Sequence, residues 1–433
     1  MNNFDLEINA ENIKDTISKN ILGRNKKLVM LAKILDNQKN NAIIAIDGKW
    51  GSGKTFFVKQ FEYIVKSIEQ FYDCKVFEQK SIDVMKTLNQ NSIIIYYNAW
   101  ENDDHINPLE SIIYNVLNEF PKYKDYITNN KDMFNLFKDC MINFVEKSSL
   151  GIIKSENLKS LKSFQDIADS IQTIEEKKAA FNKLINSILI GNKRLILIID
   201  ELDRCNPSFA VKLLETIKHF YNNANISIIV STNNSELSYT IKKFYGEGFD
   251  GYRYLNKFYD LIINLECEDI KQYVQNALNF DNSTYFPEDF SFLILKHYNF
   301  SLRECNRFIF FYNILRDYIE FESRFDKEEN YIVSSMLLPF AVALKIKSID
   351  KYSEFMNKNG QKEIEQFLTK AIDGTEMERW IKELLQCKTE DYKQLIIKCY
   401  EKIINGEKNI HVTPFLEAIS MLGTRIQIDD ESK

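Results

Sequence analysis

The sequence predicts an α/β protein whose core is a mainly parallel sheet of five strands, with helices inserted into it and following it. Five short runs are apolar throughout, which is typical of strands buried on both faces of a parallel sheet. Segments with helical periodicity separate these runs. Only 13 Gly and 6 Pro interrupt the 433 residues, as expected for a chain that is mostly helical.

The elements follow in order along the chain. Residues 8–37 carry apolar residues at helical spacing and predict a helical segment before the sheet. The five apolar runs are 42–47, 92–98, 195–200, 226–232 and 260–265. The gap between the second and third runs is far longer than a crossover needs, so we predict a helical insertion there. Beyond residue 266, segments 268–325 and 330–405 have helical patterns.

These elements divide the chain into five predicted regions, because 433 residues exceed one ordinary domain. They are an N-terminal segment with the first half of the core (1–119), a helical insertion (120–185), the second half of the core (186–266), a helical region (267–328) and a C-terminal helical region (329–433).

Composition and charge argue against several classes of protein. A hydrophobic share of 45% supplies packed cores, and a net charge of −6 lacks the basic excess of a dedicated nucleic-acid binder. Seven scattered Cys without a C-x-x-C pair favour free thiols over a disulfide framework or a zinc site. No secretory signal and no apolar run of ~18 residues is seen. We therefore expect a cytoplasmic protein that does not enter a membrane.

A glycine-rich octet follows the first apolar run and precedes a helical pattern, which is the context of a phosphate-binding loop. Its small residues let backbone N–H groups surround a β-phosphate at a helix N-terminus, Lys54 supplies charge to the β- and γ-phosphates, and the Thr55 hydroxyl ligates Mg²⁺. The alternative is a glycine-rich turn without a ligand. The predicted binding residues are Gly48, Lys49, Trp50, Gly51, Ser52, Gly53, Lys54, Thr55 and Phe56.

An acidic pair ends the third apolar run. Asp200 would hold Mg²⁺, and Glu201 would orient and deprotonate the attacking water. The alternative is a solvated strand end. Together with the octet, the pair predicts the binding and hydrolysis of a nucleoside triphosphate, with ATP and Mg²⁺ as the expected ligands.

Polar residues also end two other runs. Thr232 and Asn233 stand where a sensor of the γ-phosphate would be, and the equally weighted alternative is a helix N-cap or Asx turn. Asn98 ends the second run. One hypothesis is that its side chain holds Glu201 away from the attacking water until a ligand or partner binds.

With these residues placed, the chain resembles the KAP family of P-loop NTPases, of the division that includes the AAA+ and STAND ATPases. The similar motifs are the loop with its Trp, Tyr96-Tyr-Asn-Ala-Trp100, Asp200-Glu-Leu-Asp-Arg-Cys205 and Tyr254-Leu-Asn-Lys257. The resemblance covers about residues 20–310. It implies a three-layer P-loop fold in which the Asp200 strand lies beside the Asn98 strand, and the sensor strand lies between the Asp200 and loop strands. Region 267–328 would be a helical lid, and the polar insertion indicates a soluble member.

The resemblance implies further site residues. Gly23, in Ile21-Leu-Gly-Arg24, would lie near adenine, with an ordinary turn as the alternative. Arg253 would act as an arginine finger toward a neighbouring subunit, which favours a homo-oligomer. Arg303 looks like the sensor arginine of the lid, with Arg307 as its competitor.

Two hypotheses about the function of the chain remain open. The leading one is an ATPase whose cycle drives a conformational switch, which the family context connects with bacterial anti-phage defence and a partner effector. The alternative is a nucleotide-gated scaffold that hydrolyses little ATP and holds a partner. Nucleic acid also stays open as a partner, because Lys and Tyr mingle in 242–245 and 252–259, although chance adjacency explains this as well.

Overall fold

Five short strands form one sheet at the centre of the protein. The computed structural model describes residues 8–37, 41–104, 108–119, 189, 193–220, 225–265, 271–278, 286–322, 332–386 and 391–405. The strands are β1 (Ala42–Asp47), β2 (Ser92–Asn98), β3 (Arg194–Asp200), β4 (Ile226–Thr232) and β5 (Leu261–Asn264). All four pairings are parallel and the order is β2-β3-β4-β1-β5, which confirms the predicted arrangement.

The parallel register collects polar side chains at one edge of the sheet. Asn98 pairs with Asp200, and Asp47 pairs with Thr232. Because every strand runs the same way, the residues that follow these strand ends meet at one edge, where ligands of such sheets usually bind.

Helices cover both faces of the sheet, because alternate strand residues point to opposite sides. On one face Ile44, Ile196 and Ile229 share a core with the helices of the N-terminal half. These are α1 (Ala10–Ser18), α2 (Asn25–Asn37), α3 (Lys54–Lys66) and α4 (Gln79–Asn91). The predicted helical segment 8–37 is thus two helices separated by a turn.

The opposite face is covered by a second helical layer. Ile43, Leu197 and Val230 belong to its core. Its helices are α5 (Pro108–Glu119), α6 (Pro207–Phe220), α7 (Asn234–Tyr245) and α8 (Gly251–Leu255). Helix, sheet and helix make the three layers that the resemblance to the KAP family implies.

The described part of the chain after β5 is helical. It contains α9 (Lys271–Leu278), α10 (Phe286–His297), α11 (Leu302–Glu322), α12 (Leu338–Lys347), α13 (Ile349–Glu354), α14 (Gln361–Phe367), α15 (Glu376–Leu384) and α16 (Tyr392–Ile404). These helices share one hydrophobic core with α1–α4. The division at 328 stays a prediction.

Two further predictions concern the helical insertion and the absence of membrane-spanning segments. The helical insertion at 120–185 lies outside the described residues. Among the helices within the described ranges, none has both the length and the apolar character needed to cross a bilayer.

Candidate functional site

The glycine-rich loop lies between β1 and α3. Gly51 and Gly53 have φ values of +78° and +82°, which side-chain-bearing residues rarely adopt. Gly53 is the N-cap of α3, and no side chain caps this end of the helix. The first N–H groups of α3 therefore point from the loop without a side-chain acceptor, which suits a bound phosphate.

Lys54 bridges the two ends of this loop. Its Nζ donates to the carbonyl oxygens of Gly48 at 2.7 Å and Lys49 at 3.3 Å. Burial lowers the pKa of Lys54, and the nearby carboxylates of Asp203 and Asp200 counteract this effect. Lys54 is buried, so its charge is held at the loop rather than dispersed in solvent.

Asp200 is fully buried at the end of β3, and donors hold both of its carboxylate oxygens. Its Oδ1 accepts the backbone N–H of Glu201 at 2.9 Å, and its Oδ2 accepts the hydroxyl of Tyr96 at 3.0 Å. One cleft brings Asp200 together with Lys54, Thr55, Glu201 and the phosphate loop. The sequence prediction did not include the contact with Tyr96.

Glu201 follows Asp200 in the left-handed conformation, with φ 59°. Its Oε1 lies 3.2 Å from Nη1 of Arg204. Burial raises the pKa of Glu201, while the charge of Arg204 partly lowers it again. A carboxylate with a raised pKa binds a proton more readily than an ordinary one, which is the property required of a general base.

Arg204 pairs with the Glu201 carboxylate in the structure, and the role considered for Asn98 stays a prediction. The Oδ1 of Asn98 accepts the backbone N–H groups of Trp100 at 3.1 Å and Glu101 at 3.4 Å. The physical reason is local, because an Asn at the end of a strand readily binds the backbone of the turn that follows.

Two tryptophans form the outer wall of the site. The indole Nε1 of Trp50 donates to Oδ2 of Asp203 at 2.5 Å, and the guanidinium of Arg204 lies 5.2 Å from the ring centre of Trp100. Both indoles remain about half exposed, at 48% and 49%. With Arg303 they line an open extension of the cleft.

The predicted γ-phosphate sensors lie on the other side of the loop. Asn233 caps α7, its Oδ1 accepting the N–H of Glu236 at 3.4 Å, which is the N-cap alternative. It lines a neighbouring cleft with Gly48 and Lys49. Thr232 is fully buried, and its hydroxyl has no partner among the described residues. The structure does not place either residue among those lining the cleft of Asp200.

The three predicted arginines divide into one at the cleft and two elsewhere. The backbone N–H of Arg303 donates to the carbonyl of Gly51 at 2.9 Å, and its side chain lines the cleft. Arg307, one turn later, is exposed and is not among the residues lining that cleft. Arg253 is exposed on α8, with its N–H bound to Oδ1 of Asp250 at 2.9 Å.

Gly23 lies in the turn before α2, and the side chain of the next residue reaches the phosphate loop. The buried guanidinium of Arg24 donates to the carbonyl of Ser52 at 2.8 Å and that of Gly53 at 3.4 Å. The sequence points to Gly23 and gives no indication of this role of Arg24. No sequence signal could have shown it, because the acceptors are backbone carbonyls that any residue carries.

The donor chemistry of the cleft fits a magnesium nucleotide. A Cβ on Gly51 would lie 2.8 Å from the Cβ of Arg303, so the loop leaves no room for a side chain there. Thr55 and Asp200 offer hydroxyl and carboxylate oxygens at the same cleft, the hard ligands that Mg²⁺ prefers.

Comparison with known proteins yields one family. Residues 24–319, more than half of the chain, match the KAP family P-loop domain. No curated protein matches the chain.

Proposed function

Because this chain belongs to the KAP family of P-loop NTPases, we propose that it binds ATP with Mg²⁺ and hydrolyses the terminal phosphate. The observation that supports this most strongly is a single cleft lined by Lys54, Thr55, Asp200 and Glu201. These four side chains come from two segments about 150 residues apart, and they are the groups that nucleotide hydrolysis requires.

Binding is assigned to the loop and the first turn of α3. The backbone N–H groups around Gly51 and Gly53 would surround the β-phosphate, and Lys54 would contact the β- and γ-phosphates. Thr55 and Asp200 would hold Mg²⁺, directly or through water. When bound, the ion neutralises charge on the phosphates and fixes their orientation.

Proton transfer is assigned to Glu201. Its carboxylate would accept a proton from the attacking water, and its pKa, raised by burial, favours this role. In the structure the same carboxylate is paired with Arg204. Turnover in this proposal therefore includes the separation of Glu201 from Arg204, which a partner or the nucleotide would promote.

We assign the regulatory arginines to different chains. Arg303 would contact the γ-phosphate from the lid, which its position in the cleft supports. Arg253 would act as the finger of a neighbouring copy, because it is exposed and does not line the cleft of its own chain. A homo-oligomer follows from this assignment. Specific activity that does not change with protein concentration would contradict it.

The wider role is proposed from the family alone. We propose that hydrolysis resets a conformational switch that controls a partner effector in bacterial anti-phage defence. The second candidate, a scaffold that binds ATP and hydrolyses little, is favoured by the pairing of Glu201 with Arg204.

Phosphate release and ATP binding test the two candidates together. We expect Glu201→Gln to lower phosphate release by about 10²–10⁴-fold while ATP binding is retained. Glu354→Gln, at an exposed acid of α13, is the control and should behave as wild type. Equal phosphate release from wild type and Glu201→Gln, with ATP bound by both, would favour the scaffold. Absence of ATP binding by wild type would refute both candidates.

A further inference from the structure

A tyrosine that precedes the end of β2 holds the buried carboxylate of the site. The hydroxyl of Tyr96 donates to Oδ2 of Asp200 at 3.0 Å, while Oδ1 accepts the N–H of Glu201 at 2.9 Å. Each oxygen thus has one donor among the residues that the structure describes. A carboxylate fixed at both oxygens cannot rotate freely, and its remaining lone pairs keep a constant direction.

The ring of Tyr96 is itself held by the helix that begins at the phosphate loop. Nζ of Lys59 lies 3.2 Å from the centre of the Tyr96 ring. Lys59 also pairs with Glu62 at 3.0 Å, which fixes the ammonium in place. Because Lys59 is four residues after Thr55, the two side chains lie on the same face of α3. The contacts connect Asp200, through one aromatic ring, to Lys59 on the helix that also carries Thr55.

The hydroxyl of Tyr96 is the donor in this contact, and the Asp200 carboxylate is the acceptor. A phenol O–H has a single proton to donate, so this hydrogen bond defines the position of Oδ2.

We propose that Tyr96 is a positioning residue for Mg²⁺: its hydroxyl orients the Asp200 carboxylate toward the metal, and Lys59 fixes the ring that carries it. This inference rests on the proposed function, because it assigns Mg²⁺ to Asp200. Partners behind a metal ligand commonly change metal affinity by about 10–100-fold when they are removed. Tyr96 does not line the cleft, so it acts through Asp200 rather than on the nucleotide.

The next residue on the same strand provides a matched control. Tyr97 points to the opposite face of the sheet and is fully buried, and its hydroxyl lies 2.8 Å from Oγ of Ser111. Tyr97→Phe removes the same atom from the same strand without touching Asp200. A loss that reflects only strand stability should therefore appear in both variants.

The experiment measures how a fluorescent ATP analogue binds, first in EDTA and then during a Mg²⁺ titration, with thermal unfolding of every variant. For Tyr96→Phe we expect unchanged affinity in EDTA and a Mg²⁺ concentration for half-saturation raised by about tenfold. Tyr97→Phe should leave this concentration unchanged. The inference would be overturned if Tyr96→Phe and wild type were half-saturated at the same Mg²⁺ concentration. Equal increases of this concentration in Tyr96→Phe and Tyr97→Phe would overturn it as well.

The same binding measurements distinguish a failure of the proposed function from a failure of the role of Tyr96. If wild type binds no ATP analogue with Mg²⁺ present, the proposed function fails; if wild type binds it and Tyr96→Phe matches wild type, only the role of Tyr96 fails. If Tyr96→Phe does not fold, the same Mg²⁺ titration is made on Lys59→Met. This variant removes the charge above the ring and keeps the hydroxyl of Tyr96. A raised Mg²⁺ requirement supports the proposal, and an unchanged one overturns it.

Discussion

The indole nitrogen of Trp50 and the Oδ2 atom of Asp203 are joined by a hydrogen bond of 2.5 Å. Trp50 belongs to the phosphate loop, and Asp203 follows the acidic pair by two residues. The bond therefore connects the loop to the segment after β3. Movement of the loop on nucleotide binding would be transmitted directly to the segment that carries Glu201 and Arg204.

We predict that ATP binding changes the tryptophan fluorescence of the protein. The chain has three Trp, and Trp50 and Trp100 both border the cleft, whereas Trp380 lies on α15. Trp50→Phe should remove most of the change observed on addition of Mg²⁺ and ATP. Trp380→Phe should leave that change intact. A response that disappears only in Trp380→Phe would contradict the placement of the ligand.

Lys54→Ala should weaken ATP binding by about 10- to 100-fold, the effect of losing a hydrogen bond to a charged group. Titration calorimetry measures this directly. Lys33→Ala, which changes an exposed lysine of α2, is the control and should bind as wild type does. Equal ATP affinity of the two variants would count against a phosphate at the loop.

The pH dependence of hydrolysis should report on Glu201. A general base works only when deprotonated, so kcat/KM should fall with decreasing pH through the pKa of Glu201, which burial raises above its ordinary value. Arg204 lowers that pKa, so Arg204→Ala should move the acid limb to higher pH. Arg379→Ala, at an exposed residue of α15, should not move it. An acid limb displaced to lower pH in Arg204→Ala would disprove the assignment.

Alanine substitutions at two glycines distinguish the effect of backbone strain from the effect of crowding at the phosphate loop. Gly51 and Gly374 have nearly equal φ values of +78° and +77°, but only at Gly51 would a Cβ meet other atoms, 2.8 Å from the Cβ of Arg303. Both Ala variants should lose about 1–2 kcal/mol of unfolding free energy from the left-handed conformation. Only Gly51→Ala should also lose ATP affinity. Urea unfolding measures the loss of stability, and ATP titration measures the loss of affinity. Weakened ATP binding by Gly374→Ala would show that lower stability, and not crowding at the loop, explains the weaker binding.

Much of the fold follows from patterns that are local in sequence. Apolar runs such as 195–200 and 226–232 predict the buried strands, because a strand covered on both faces has no polar side. The order of the strands came from resemblance to the KAP family, and the structure confirms it.

The contacts within the site were harder to predict, because they join side chains that are distant in sequence. Trp50 and Asp203 are 153 residues apart, and Tyr96 and Asp200 are 104 apart. Periodicity indicates which face a residue occupies but not which atom its side chain contacts. The partner of Glu201 was missed for a different reason: Arg204 is only three residues away, but the short helical turn after β3 that brings it close has no sequence signal.

The hydrogen bond from Arg303 to the carbonyl of Gly51 gives α11 the geometry of a lever arm. The helix starts at Leu302, beside the loop, and its 21 residues extend for about 30 Å. A tilt of about 10° at the loop end would displace the far end by about 5 Å. A small adjustment around a phosphate would thereby be enlarged to a displacement of several ångströms beside the C-terminal helices.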